Sequence, residues 1–110
     1  MAIKLKSDGI DFANEKIKQA YENLKDTDME LYKHLTRAFN DLLGYAFCGI
    51  QIPKKIIPKE YKHHENLWKY NLPNAWRMIY SIKSPSKISI ISVVLEWMNH
   101  KNYEKRFKYQ

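Results

Sequence analysis

The chain has 110 residues, 45% of them hydrophobic, and a formal charge of +7 at neutral pH. This size fits a single domain of residues 1–110, and the composition suffices for a core without disulfide or metal staples. The one cysteine, Cys48, excludes an intramolecular disulfide and a cysteine-based zinc cluster. No apolar run approaches the ~18 residues of a membrane span, and the first ten residues lack a signal-peptide pattern. We therefore expect a cytoplasmic protein without a membrane partner.

The positive charge is unevenly distributed along the chain. Residues 1–49 contain seven Lys and Arg against eight Asp and Glu, whereas residues 50–110 contain twelve against four. A basic half favours a polyanionic partner, because each neutralised phosphate releases condensed counterions. The alternative is a lysine-rich surface that is merely solvated.

The first half of the chain predicts a short edge strand followed by a helical hairpin. Residues 2–6 alternate apolar residues with lysine, which is typical of a half-exposed strand, and Asp8-Gly9 is expected to end it. Apolar residues then recur at helical spacing over residues 10–25 and again over residues 31–43. Between the two helices, Thr27 with Glu30 fits a capping box. A link this short predicts two antiparallel helices.

Residues 50–66 predict an extended, basic connection, since prolines at positions 53 and 58 disfavour a helix or a central strand. This connection is either a solvated loop or an arm whose lysines follow a phosphate backbone. The lysines are Lys54, Lys55, Lys59 and Lys62. His63 and His64 beside Glu65 resemble metal ligands, but adjacent histidines point apart and no third ligand has a fixed spacing. We therefore predict no metal and no cofactor.

Three β-rich runs follow, over residues 67–72, 76–82 and 88–95, and the turns between them are short enough to require an antiparallel meander. The third run is apolar on both faces, which predicts a central strand. The last residues are polar and aromatic and are expected to end on or beside the sheet. The predicted fold class is α+β, with an N-terminal strand and a helical hairpin packed on an antiparallel sheet.

Arg77 stands in an otherwise apolar strand, and the strand register decides its surroundings. A three-residue loop over residues 73–75 pairs Asn71 with Arg77 and places Lys69 on the same face, with the aromatic residues on the other. A two-residue loop would bury the guanidinium among aromatics without an acidic partner, which is costly. We therefore predict the three-residue loop and an Arg77 on a basic face, as a phosphate ligand or as a surface arginine whose stem lies on the sheet.

The segment "WRMIYSI", preceded by "WKYNL" and followed by an apolar strand and "HKNYEKRF", resembles the RelE toxins of type II toxin–antitoxin systems. The resemblance covers most of the chain and is strongest over residues 67–107. It implies a small cytoplasmic toxin that cleaves messenger RNA on the ribosome, inhibits translation and is neutralised by a cognate antitoxin protein. Other members of the wider RelE/ParE superfamily inhibit DNA gyrase.

The resemblance also implies site residues. Lys69 and Arg77 match the family's characteristic strand cations, and Tyr103 matches its C-terminal tyrosine. A further arginine of the family has no counterpart here, and His100 and Lys101 are the nearest candidates to replace it. We take Lys69, Arg77, His100 and Tyr103 as the candidate catalytic residues, because RNA cleavage needs a proton-transfer group and cations beside the phosphate. The candidate RNA-binding residues, drawn from the linker, the strand and the C-terminal segment, are Lys54, Lys55, Lys59, Lys62, His63, His64, Asn71, Lys101, Lys105 and Arg106.

Two departures from the family pattern leave other functions open. Asn71 stands where the family often has a second basic residue, and the arginine after the last strand is missing. A non-catalytic or inactivated protein of the same fold that binds RNA or an antitoxin is one alternative, and a gyrase-directed toxin is another. Tyr103 and Phe107, four residues apart, also fit a plain structural role as anchors of a final helical turn.

Overall fold

The computed structural model describes residues 7–86 and 89–107. Its helices are α1 (Glu15–Thr27), α2 (Met29–Gly44) and α3 (His100–Phe107). Its strands are β1 (Gly9–Phe12), β2 (Ile50–Gln51), β3 (Trp68–Leu72), β4 (Trp76–Ser86) and β5 (Ser89–Asn99). Together they form a compact α+β fold whose five strands make one sheet in the order β1-β5-β4-β3-β2. No helix in the described ranges is long and apolar enough to span a membrane.

The start of the chain differs from the sequence prediction. The predicted strand over residues 2–6 lies outside the described residues, and the predicted helix over residues 10–25 begins only at Glu15. Gly9–Phe12 form β1 instead, which pairs in parallel with β5. Asn14 explains the boundary, because its side chain accepts a hydrogen bond from the Ile17 N–H at 3.0 Å and caps α1.

The parallel pairing of β1 makes the sheet mixed, so the prediction of an antiparallel sheet was wrong. The same pairing places β5 between β1 and β4, so β5 is an interior strand, as predicted, although β4 is the middle one of the five. The predicted meander of β3, β4 and β5 is present, and both of its pairings are antiparallel. Most of the predicted turn over residues 83–87 is strand, since β4 continues to Ser86.

The capping box between the two helices is absent. Thr27 is the last residue of α1, and Asp28 caps α2 by accepting a hydrogen bond from the Leu31 N–H at 3.1 Å. Glu30 reaches outward, where it accepts a hydrogen bond from the Asn74 side chain at 2.8 Å. Leu43, predicted on the apolar stripe, is 38% exposed. The other stripe residues of α2 (Leu31, Leu35, Ala38, Phe39 and Leu42) are buried.

Each face of the sheet has its own core. The helical hairpin covers one face, where Leu72, Met78 and Tyr80 are buried beneath α2. The opposite face is covered by residues of the connection between β2 and β3 and by α3, which bury Tyr61, Tyr103 and Phe107. The connection contains two 3₁₀ turns, Lys54–Ile56 and Lys59–Tyr61. We call this second layer the basic layer, because residues 52–66 and α3 each carry a net charge of +2.

Candidate functional site

The turn between β3 and β4 sets the register that positions Arg77. Pro73–Ala75 form the predicted three-residue loop, so that Asn71 lies opposite Arg77 and Lys69 opposite Ile79. Asn74 and Ala75 both have φ of +61°, a left-handed conformation that asparagine adopts more readily than alanine. Because residues alternate along a strand, Lys69, Asn71 and Arg77 share the face covered by the basic layer.

Arg77 is half-buried and its guanidinium contacts the first residue of α3. Its Nη2 lies 3.1 Å from the Nδ1 of His100, and its Nη1 donates to the carbonyl oxygen of Trp76 at 3.1 Å. A guanidinium carries five donors, so these two contacts leave further N–H groups that a phosphate can use. The structure thus brings together two of the four candidate catalytic residues, 23 positions apart in the sequence.

His100 is held at the junction of β5 and α3. The Asn99 side chain accepts a hydrogen bond from the Asn102 N–H at 2.9 Å, which caps the helix that His100 begins. The other ring nitrogen of His100, Nε2, lies 2.8 Å from Oε1 of Glu104, one turn further along α3. The side chain of His100 is 49% exposed, so solvent reaches the imidazole.

Glu104 is the part of this cluster that the sequence prediction missed. Its distance of four residues from His100 was a usable signal, because residues four apart on a helix face each other. The signal was overlooked because α3 was predicted only as a final helical turn. We call Arg77, His100 and Glu104 the Arg–His–Glu row.

Lys69 and Tyr103 lie together beside this row. The Nζ of Lys69 is 4.9 Å from the ring centroid of Tyr103, a cation–π contact. Tyr103 is only 1% exposed and stacks on Phe107 with ring centroids 4.7 Å apart. The ring of Tyr103 is therefore enclosed in the core of this face of the sheet. Its position supports the structural role as an anchor of α3.

Arg106 was predicted to bind RNA but is part of an ion-pair network within the protein. Its guanidinium donates to the Tyr61 hydroxyl at 3.0 Å and to the carboxylate of Glu96, and its Nε lies 3.6 Å from Glu60. The Tyr61 hydroxyl also donates to Glu96. Burial, and then this hydrogen bond to a carboxylate, raises the pKa of Tyr61. The network fastens the second 3₁₀ turn to α3 and β5.

The remaining predicted RNA-binding lysines are exposed in the basic layer. Lys54, Lys55 and Lys59 lie in the two 3₁₀ turns, and Lys62 follows directly. Ile56 and Ile57 pack against the core of this face, which orders the turns that carry the lysines. Two further exposed cations, Lys101 and Lys105, lie on α3, and Asn71 is exposed on β3.

His63 and His64 do not join the Arg–His–Glu row. Together with Lys83 they line a cavity at the far end of β4, six residues from Arg77 and thus roughly 20 Å along the strand. Partial burial, and then the charges of His63 and Lys83, lowers the pKa of His64. In residues 7–86 and 89–107, no three His, Cys, Asp or Glu side chains are grouped closely enough to hold a metal ion.

Comparisons with known proteins identify no relative: no protein-family model matches the chain, nor does any curated protein or solved structure.

Proposed function

We propose that the chain is a RelE-like toxin of a type II toxin–antitoxin system, an endoribonuclease that cleaves messenger RNA on the ribosome without using a metal ion. The observation that carries the proposal is the 3.1 Å contact between Arg77 on β4 and His100 in the basic layer, at a position open to solvent. An arginine and a histidine in contact supply two of the functions that RNA cleavage requires, namely charge stabilisation and proton transfer.

The reaction follows from the chemistry of RNA. A base removes the proton of the ribose 2′-hydroxyl, the 2′-oxygen bonds to the adjacent phosphorus, and the bond from phosphorus to the 5′-oxygen breaks. The departing 5′-oxygen takes up a proton, leaving a 2′,3′-cyclic phosphate and a 5′-hydroxyl. Arg77 stabilises the charge that grows on the phosphoryl oxygens, because it is planar, always charged and able to donate two parallel hydrogen bonds.

The other side chains have supporting roles in the proposed reaction. Lys69 polarises the reacting ribose and phosphate from the neighbouring strand, as a diagonal neighbour of Arg77 across β3 and β4. The exposed lysines of the basic layer attract the RNA backbone. The same positive surface fits an acidic antitoxin segment, which would neutralise the toxin by covering the Arg–His–Glu row.

The test is cleavage of a ribosome-bound message by purified protein. We expect Arg77→Ala to lower the cleavage rate roughly 10²- to 10³-fold, as the loss of one preorganised charge contact does in other enzymes. Arg37→Ala is the matched control, since Arg37 is an exposed arginine on α2, beneath the opposite face of the sheet. Equal cleavage by the two variants would contradict the proposed role of Arg77.

A second candidate is a non-catalytic protein of the same fold that binds RNA or an antitoxin. It is favoured by Asn71, which leaves Arg77 without a cationic partner directly opposite, and by the enclosed ring of Tyr103. The same experiment separates the two candidates. A wild-type protein that binds RNA in a gel-shift assay and leaves it intact is a binding protein and not a nuclease.

A further inference from the structure

The hydrogen bonds of the Arg–His–Glu row fix the position of a proton. Arginine nitrogens carry hydrogen and have no acceptor capacity, so the 3.1 Å contact from Arg77 Nη2 requires a lone pair on Nδ1 of His100. In this arrangement Nδ1 accepts, and Nε2 is the ring nitrogen that carries hydrogen. That N–H points at the carboxylate of Glu104, 2.8 Å away. Nδ1 thus accepts a hydrogen bond from Arg77 and Nε2 donates one to Glu104, so both contacts favour the same tautomer of His100.

The backbone geometry favours the same arrangement. His100 and Glu104 are one helical turn apart on α3, and Tyr103 and Phe107 anchor that helix with side chains that are 1% and 0% exposed. The helix therefore cannot rotate without exposing two aromatic rings, which keeps Glu104 beside Nε2. The side chains of His100 and Glu104 are 49% and 60% exposed. An ion pair this exposed contributes little to the stability of the fold, so its main effect is to orient the imidazole of His100.

We propose that Glu104 is a positioning residue that holds His100 with Nδ1 as the nitrogen that transfers the proton; this inference rests on the proposed ribonuclease function. When a phosphate of the RNA accepts hydrogen bonds from the guanidinium of Arg77, the hydrogen bond from Arg77 to Nδ1 is broken. The lone pair of Nδ1 is then available beside that phosphate. Nδ1 then accepts the proton of the 2′-hydroxyl as the 2′-oxygen bonds to phosphorus. The resulting imidazolium is stabilised by the Glu104 carboxylate, and it returns the proton to the departing 5′-oxygen.

The first measurement is the tautomer itself, read from long-range ¹H–¹⁵N correlations of the imidazole in the RNA-free protein. The spectra are recorded at increasing pH until the ¹⁵N shifts of the ring no longer change, so that the neutral form is the one observed. We expect the wild type to show the proton on Nε2, with the signals assigned through His100→Gln. Glu104→Ala should give a mixture of tautomers. The control, Glu22→Gln, changes an exposed carboxylate on α1 and should leave the spectrum unchanged.

The second measurement is single-turnover cleavage by the same variants. Glu104→Ala is expected to lower the cleavage rate roughly 10- to 100-fold while RNA affinity changes by less than about twofold. Glu104→Gln retains an acceptor oxygen but not the charge, so its rate should lie between those of wild type and Glu104→Ala. A purely structural role would lower affinity and rate together and would not produce this order.

The two measurements separate failure of this inference from failure of the proposed function. A wild type that leaves RNA intact contradicts the ribonuclease function, and the spectrum still decides whether Glu104 sets the tautomer. An active wild type with the proton on Nδ1 overturns the inference. So does a Glu104→Ala variant with unchanged spectrum and unchanged rate.

Discussion

The imidazole of His64 lies where protonation is disfavoured. Its Nδ1 is buried without a hydrogen-bond partner among the described residues, and its pKa is lowered by burial and by the charges of His63 and Lys83. A histidine whose folded-state pKa is below its unfolded-state pKa binds protons more readily in the unfolded chain. The folded state therefore loses stability as the pH falls below the unfolded-state value.

We predict that His64→Asn removes part of this acid sensitivity. Between about pH 7.5 and about pH 5.5, the wild type should lose more free energy of unfolding than the variant, by less than about 1 kcal/mol because the ring is partly solvated. Urea unfolding at the two pH values measures the difference. His63→Asn removes one of the causes but not burial, which is the largest, so this variant should keep most of the pH dependence. Equal losses in wild type and His64→Asn would show that another group is responsible.

The register around Arg77 shows which single residues were predictable. Arg77 was assigned to the face opposite the aromatic residues because burying a guanidinium without an acidic partner costs free energy. The pairing of Asn71 with Arg77 in the structure confirms this assignment. The enclosure of Tyr103 was not predictable in the same way. It depends on how α3 packs back onto the sheet, and a spacing of four residues to Phe107 fits both an exposed and a buried pair.

At the level of elements, Gly49 controls how closely the segment after α2 approaches β3 and β4. A Cβ atom at this position would lie 2.5 Å from the Tyr80 hydroxyl oxygen and 2.6 Å from the carbonyl oxygen of Lys69. The Gly49 N–H also donates to the Tyr80 hydroxyl at 3.1 Å. A side chain here must displace backbone of the strand that carries Lys69.

We predict that Gly49→Ala destabilises the fold by about 1–3 kcal/mol, because overpacking against backbone cannot be relieved by a rotamer change. Gly9→Ala is the matched control, since a Cβ there meets nothing within 4 Å. Urea denaturation followed by circular dichroism gives both values. If the two variants have the same midpoint, the close approach at Gly49 is not required for stability.

The elements that the sequence predicted well are those with a local signal. The α2 stripe, the β3–β4–β5 meander and the short turn at Pro73–Ala75 follow from periodicity and turn residues within a few positions. The strand Gly9–Phe12 was missed because its partner is β5, about 80 residues away, and its apolar residues also fit a helical spacing. Periodicity in one short window cannot separate these possibilities.

For the molecule as a whole, the two sides of the sheet differ in net charge. Residues 14–45, which include the helical hairpin, contain five Lys and Arg against six Asp and Glu, while the basic layer on the opposite face is positive. A polyanion would therefore approach from one side. Its affinity should depend on the number of cations that contact phosphate and on the salt concentration.

We predict that the triple change Lys54→Gln, Lys55→Gln and Lys59→Gln reduces the slope of log affinity against log salt for single-stranded RNA by about 2. The control changes Lys16, Lys18 and Lys33 to Gln, which alters the net charge equally on the side of the helical hairpin. Filter binding at several salt concentrations measures both slopes. Equal slopes for the two triple variants would mean that net charge, and not the basic layer, attracts the RNA.

The parallel pairing of β1 with β5 has a consequence for the order in which the protein is made. Gly9 leaves the ribosome first, but its partner Ile91 is synthesised about 80 residues later, roughly 4–16 s at bacterial to eukaryotic elongation rates. During that interval β1 has no edge to join, and the newly made β5 later offers an unpaired apolar edge until β1 arrives. Because β1 and β5 pair so late, we expect folding during expression to depend on chaperones. A circular permutant that begins near β5 should depend on them less.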